Sequence, residues 1–78
     1  SSVIIQGFGN VGAPIAEKLA SLGARIVGAS DINAALYNPD GLDLAQLLAL
    51  RRHKDGLAGY TGPVKRRFDG EHLDRMLE

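Results

Sequence analysis

The first apolar run of the chain, Val3-Ile4-Ile5, is β-branched and stops at Gln6-Gly7, which predicts a short buried strand. Beyond the glycines the spacing lengthens. Val11, Ile15, Leu19 and Leu22 recur at helical intervals, with Ala16 and Ala20 beside them, which predicts a helix over 11–22 with this set as its core face. Pro14 falls in the first turn, where a missing N–H costs little, and Gly23 supplies the C-terminal stop. Arg25-Ile26-Val27-Gly28-Ala29 then restores a short apolar run that ends at Ser30-Asp31. Strand, helix and strand in this order imply a parallel β-α-β unit with a right-handed crossover.

The pattern weakens after that unit. Residues 32–42 read as turn-rich, with Asn38-Pro39-Asp40-Gly41 as the clearest punctuation. Asp43 followed by Gln46 is a variant of the capping box, and Leu44, Leu47, Leu48 and Leu50 predict a helix that runs into Arg51-Arg52-His53-Lys54 and is closed by Gly56. Gly59, Gly62 and Pro63 mark a loop, 64–68 reads as a short extended stretch, and Asp69 as the N-cap of a last helix carrying Leu73, Met76 and Leu77.

Candidate chemistry sits at the first strand-to-helix turn. Gly7-Phe8-Gly9-Asn10-Val11-Gly12 matches GxGxxG where a strand ends and a helix opens. In that setting the first glycine allows the tight turn, the second lets main chain approach a pyrophosphate, and the third lets the helix pack close to the strand. The free N–H groups and positive dipole end of the helix then face the phosphates. Asp31 closes the second strand at the position, about 20 residues on, where an acidic group accepts hydrogen bonds from a ribose. The competing reading is a glycine turn made for packing alone, with Asp31 as a turn former. Together these features predict an α/β fold, a partial Rossmann fold in which a parallel β-α-β unit is followed by helices. The carboxylate of Asp31 would repel a 2′-phosphate, which favours NAD over NADP; Ser30 and Asn33 nearby are donors that leave NADP open.

Composition removes other classes. Nine Lys+Arg balance nine Asp+Glu, so the chain offers no global attraction to nucleic acid. No apolar run approaches the roughly 18–20 residues of a membrane helix, and no secretory leader pattern opens the sequence. The expectation is a soluble, cytoplasmic protein with no nucleic-acid or membrane partner. There is no cysteine for a disulfide or thiolate metal site, and His53 and His72 lack ligand spacing, so no metal is expected. Arg51 to Lys54 read as charges at a helix end, and Lys65-Arg66-Arg67 as a solvated surface. No nucleophile elbow, triad or carboxylate pair is present, so no catalytic residue is assigned. A core drawn from 78 residues is marginal, which implies a fragment or a partner.

Four stretches carry a family resemblance: Gln6-Gly7-Phe8-Gly9-Asn10-Val11-Gly12, Leu22-Gly23-Ala24, Ser30-Asp31 and Tyr37-Asn38-Pro39-Asp40-Gly41-Leu42. The chain resembles the cofactor domain of the glutamate/leucine/phenylalanine/valine dehydrogenases, most strongly over 3–50. Residues 37–42 and the helix after them are similar to the glutamate branch of that family, whereas Asp31-Ile32-Asn33 resembles the leucine branch. The resemblance implies oxidative deamination of an L-amino acid, L-glutamate to 2-oxoglutarate and ammonia in the glutamate branch, with hydride passing to NAD or NADP. It places Gly7, Phe8, Gly9, Asn10, Val11 and Gly12 at the pyrophosphate, and Ser30, Asp31 and Ile32 at the adenosine ribose and adenine edge. The family's glycine-rich lysine motif has no counterpart in the sequence, and the strand that would continue the sheet is expected beyond Glu78. The expectation is therefore a single partial NAD(P)-binding domain over 1–78, inactive alone, from an enzyme whose substrate domain lies elsewhere and which assembles as a homo-oligomer. Two alternatives stand beside it: a non-catalytic adenine-nucleotide-binding or regulatory module using the same loop, and a structural piece that dimerises to cover its sheet edge.

Overall fold

The computed structural model describes residues 1–69. Strand β1 (Ser2–Gln6), helix α1 (Gly12–Ser21) and strand β2 (Arg25–Ser30) form the expected unit, with β1 and β2 parallel. The register slips by one residue between Val3 and Ile4, so that Val27 has no Cα partner on β1. Against the expectation of a turn-rich stretch and then helices, a third strand, β3 (Ala34–Tyr37), folds back antiparallel on β2. Its Ala34, Ala35 and Leu36 are buried, and that burial against β2 outweighs the turn signals on either side. Strand β4 (Arg66–Asp69) then pairs antiparallel with β3, completing a mixed four-stranded sheet in the order β1-β2-β3-β4. Asp69 ends β4, and the helix expected after it lies outside the described residues, as does His72.

Helix α1 exists where the spacing places it, but it turns a different face inward. Gly12, Ala13 and Ala16 are buried and Leu19 is packed against the core, whereas Val11 is 74%, Ile15 49% and Leu22 72% exposed. The cause lies at the start of the helix. A Cβ on Gly12 would stand 2.7 Å from the Gly7 carbonyl oxygen and 3.1 Å from the Ile5 side chain. That close approach fixes the rotation of the helix, so the small residues meet the sheet and the large ones point away. The strand β1 is likewise less buried than its composition implies. It lies at the sheet edge, and of its apolar residues only Ile5 is buried, Ile4 being 57% exposed.

Helix α2 (Leu44–Leu50) is shorter than the sequence implies. Asp43 caps it, its Oδ1 accepting from Gln46 N–H at 3.3 Å. The return arm of the capping box is not made, because the Gln46 carboxamide oxygen instead accepts from Thr61 N–H, Thr61 Oγ1 and Gly62 N–H. Tyr60, 1% exposed, supplies the missing partner: its hydroxyl accepts from Asp43 N–H at 2.8 Å and donates to the Pro63 carbonyl at 3.0 Å. Arg51 to Lys54 follow the end of the helix, all exposed, and Gly56 opens a 3₁₀ turn (Gly56–Gly59) rather than closing α2. The basic cluster at 65–67 divides. Lys65 and Arg66 are exposed, but the partly buried guanidinium of Arg67 donates to the carbonyls of Tyr60 and Ala58, holding the 3₁₀ segment to β4. Leu36, Leu47, Leu57 and Tyr60 fill the core between the sheet and these segments.

Candidate functional site

The loop between β1 and α1 takes its shape from three glycines that differ in what they do. Gly7 has φ +72°, a left-handed conformation that turns the chain out of the strand and that costs an L side chain about 1–2 kcal/mol. Gly12 is held to glycine by its contact with Gly7 oxygen and Ile5. Gly9 is bound by neither constraint: its φ lies outside the left-handed region, and a Cβ there would meet nothing within 4 Å. Phe8, 4% exposed, is the anchor, and burying its ring contributes ~2 kcal/mol. Its N–H donates to the Ser30 carbonyl at 2.7 Å, tying the loop to the end of β2.

That bond brings together the two groups singled out by the sequence. Ser30 is half-buried, Asp31 follows it at the same end of β2, and Ile32 beyond stands 90% exposed. On the loop side, Asn10 and Val11 are exposed, and the first turn of α1 has no side-chain cap. The Ala13 N–H reaches back to the Gly9 carbonyl at 2.9 Å. An uncapped helix start next to vacant space over Gly9 suits an anionic group. No group of acidic, histidine or cysteine side chains able to hold a metal occurs among the described residues.

The Asp31 carboxylate is far more engaged than a turn former need be. Its Oδ1 accepts from Asn33 N–H at 2.8 Å and Ala34 N–H at 2.9 Å, closing the turn from β2 into β3. Its Oδ2 accepts from Leu57 N–H at 2.9 Å, across 26 positions of sequence. Leu57 belongs to no motif in the sequence, and its neighbour Gly56 reads there only as a helix stop.

Residues 1–76 match the model of the glutamate/leucine/phenylalanine/valine dehydrogenase family. The chain belongs to that family. It is 53% identical over 49 residues, 63% of its length, to the catabolic NAD-specific glutamate dehydrogenase RocG of Bacillus subtilis, of which the match covers 12%. It is 39% identical over 65 residues, 83% of its length, to the NADP-specific glutamate dehydrogenase A1 of Halobacterium salinarum, 16% of which is covered. An NAD-specific glutamate dehydrogenase of Staphylococcus aureus matches at 53% over 51 residues, 65% of the chain and 12% of the relative. The chain thus spans a small part of the length of these relatives.

Proposed function

We propose that residues 1–78 are a partial NAD(P)-binding Rossmann domain of an amino-acid dehydrogenase, with L-glutamate as substrate of the whole enzyme and NAD as the preferred cofactor. The observation that carries this reading is Gly9. The fold accounts for Gly7 through its backbone angle and for Gly12 through its packing, but nothing in the fold accounts for a glycine at position 9. Open space there is what main chain needs to come against a pyrophosphate. Val11 and Asn10 carry N–H groups of the loop, Phe8 holds the loop in place with its own N–H taken by the Ser30 carbonyl, and Gly12 stands at the start of the helix dipole. Asp31 is the acceptor for the adenosine ribose beside Ser30, and Ile32 is an exposed apolar side chain of the right place and kind to flank the adenine.

When bound, the dinucleotide supplies the hydride chemistry; these residues bind and orient it. No residue of the chain is assigned to proton transfer, so the reading includes inactivity of the 78 residues alone. Glutamate rather than leucine as substrate rests on the similarity to three glutamate dehydrogenases. The edge position of β1 and the exposed Ile4 fit a sheet that a longer, homo-oligomeric and cytoplasmic enzyme continues. Among the described residues no helix is long and apolar enough to cross a membrane, and the neutral charge supports the absence of a nucleic-acid partner.

Calorimetric titration of the full-length protein with NAD, NADP and ADP tests the site. Gly9→Ala should weaken NAD and ADP binding by at least about tenfold, because a methyl group then stands where the pyrophosphate approaches. Equal affinity in wild type and variant would remove the loop from the site.

A further inference from the structure

The ribose side of the site includes a residue pair remote in sequence. We infer that Gly56 and Leu57 position the Asp31 carboxylate for the ribose, Leu57 by donating its N–H and Gly56 by leaving the space that the carboxylate occupies. The inference rests on the reading of Asp31 as the ribose acceptor.

A carboxylate has about four acceptor directions. Two on Oδ1 go to Asn33 and Ala34, a local arrangement that an aspartate in a tight turn makes on its own. The bond from Leu57 N–H to Oδ2 is of another kind. It fixes the rotation of the carboxylate plane from outside the turn and leaves one direction, on Oδ2, for a hydroxyl donor. The three donors are all main-chain groups, so none can swing away as a side chain would.

Gly56 makes that bond possible in two ways. Its φ is +53°, in the left-handed region, which turns the chain so that the following N–H is directed at Asp31. A Cβ at this position would stand 2.3 Å from Asp31 Oδ2 and 3.1 Å from Asn33 Nδ2. No side chain fits there while the carboxylate stays where it is. Gly56 is itself buried and Leu57 is 1% exposed, so the pair is locked into the core and not free to adjust. Gly56 and Leu57 are therefore positioning residues, acting on the nucleotide through Asp31.

The test uses two ligands that share adenine and diphosphate, ADP and 2′,3′-dideoxy-ADP, titrated into the full-length protein. Their affinity ratio isolates the ribose hydroxyls. Wild type should prefer ADP by at least about tenfold, the range for a hydrogen bond to a charged acceptor. Gly56→Ala should bring the ratio close to one while leaving dideoxy-ADP affinity within about twofold. Replacing the Leu57 amide by an ester, which deletes the N–H and keeps the side chain, should do the same, and it serves as the readout where Gly56→Ala fails to fold. A purely structural staple would lower the melting temperature of these variants without moving the ratio, and an unchanged ratio in the ester variant overturns the inference. A wild-type ratio near one removes Asp31 from the ribose and overturns it as well. Failure of wild type to bind either ligand overturns the nucleotide reading itself.

Discussion

Between Gln6 and Ala13 the chain is shaped by its glycines, one left-handed, one open and one pressed on the Gly7 carbonyl, with an uncapped helix start, a buried phenylalanine beneath and only Asn10 and Val11 as exposed side chains. Around Asp31 the reverse holds, a single charged side chain held by three N–H groups from two segments of the chain. The first region is made by omission of side chains within six consecutive positions. The second is made by adding contacts across the fold. A loop of the first kind adapts its main chain to a ligand, while an acceptor of the second kind has its direction set before a ligand arrives, which reduces the ordering cost of binding.

The sharpest way to break the contrast is at Gly12. Gly12→Val would drive a branched side chain into the Gly7 carbonyl and Ile5, and it should cost about 3 kcal/mol or more in urea denaturation, since main chain cannot yield as a side-chain end does. An unchanged midpoint would show that α1 rotates freely on the sheet. Asp31→Ala comes next. It strands three N–H groups, one of them on the buried Leu57, and should cost about 1–3 kcal/mol while also lowering NAD affinity. A loss of affinity without loss of stability would mean that the three bonds are dispensable to the fold. The smallest effects sharpen the comparison within the loop itself. Gly7→Ala should lose about 1 kcal/mol through its positive φ alone, and Gly9→Ala less than ~0.5 kcal/mol, because its Cβ meets nothing. Equal losses at the two positions would contradict the separate roles given to them.

Local sequence carried the first region almost completely. The strand β1, the glycines, the start of α1 and the parallel partner β2 were legible because each depends on neighbours within a few positions. The inward face of α1 was not. Two sets of apolar residues share the helix, and size favoured Val11, Ile15 and Leu22, whereas the contact that decides the rotation is Gly12 against Gly7, a matter of missing volume. Strand β3 was hidden for a related reason. Ala34 and Ala35 carry little strand preference, and only their burial beside β2 and β4 makes the segment extended. Asp31 stands out in the sequence by its place after β2, but its link to Leu57 spans 26 positions and leaves no periodic trace. The same holds for Gln46, whose spacing from Asp43 promised a local bond and whose oxygen serves Thr61 and Gly62.

The separation between Asp31 and Leu57 also orders events in time. On a ribosome, both partners of the Phe8 to Ser30 bond are in place once residue 30 has been added. Asp31 at that stage has no donor but those of its own turn still to come, and its third N–H arrives only with residue 57, after a loop closure whose entropy grows with the span. The N–H groups that hold Asp31 are thus synthesised in two instalments, those of its own turn first and that of Leu57 26 positions after the carboxylate.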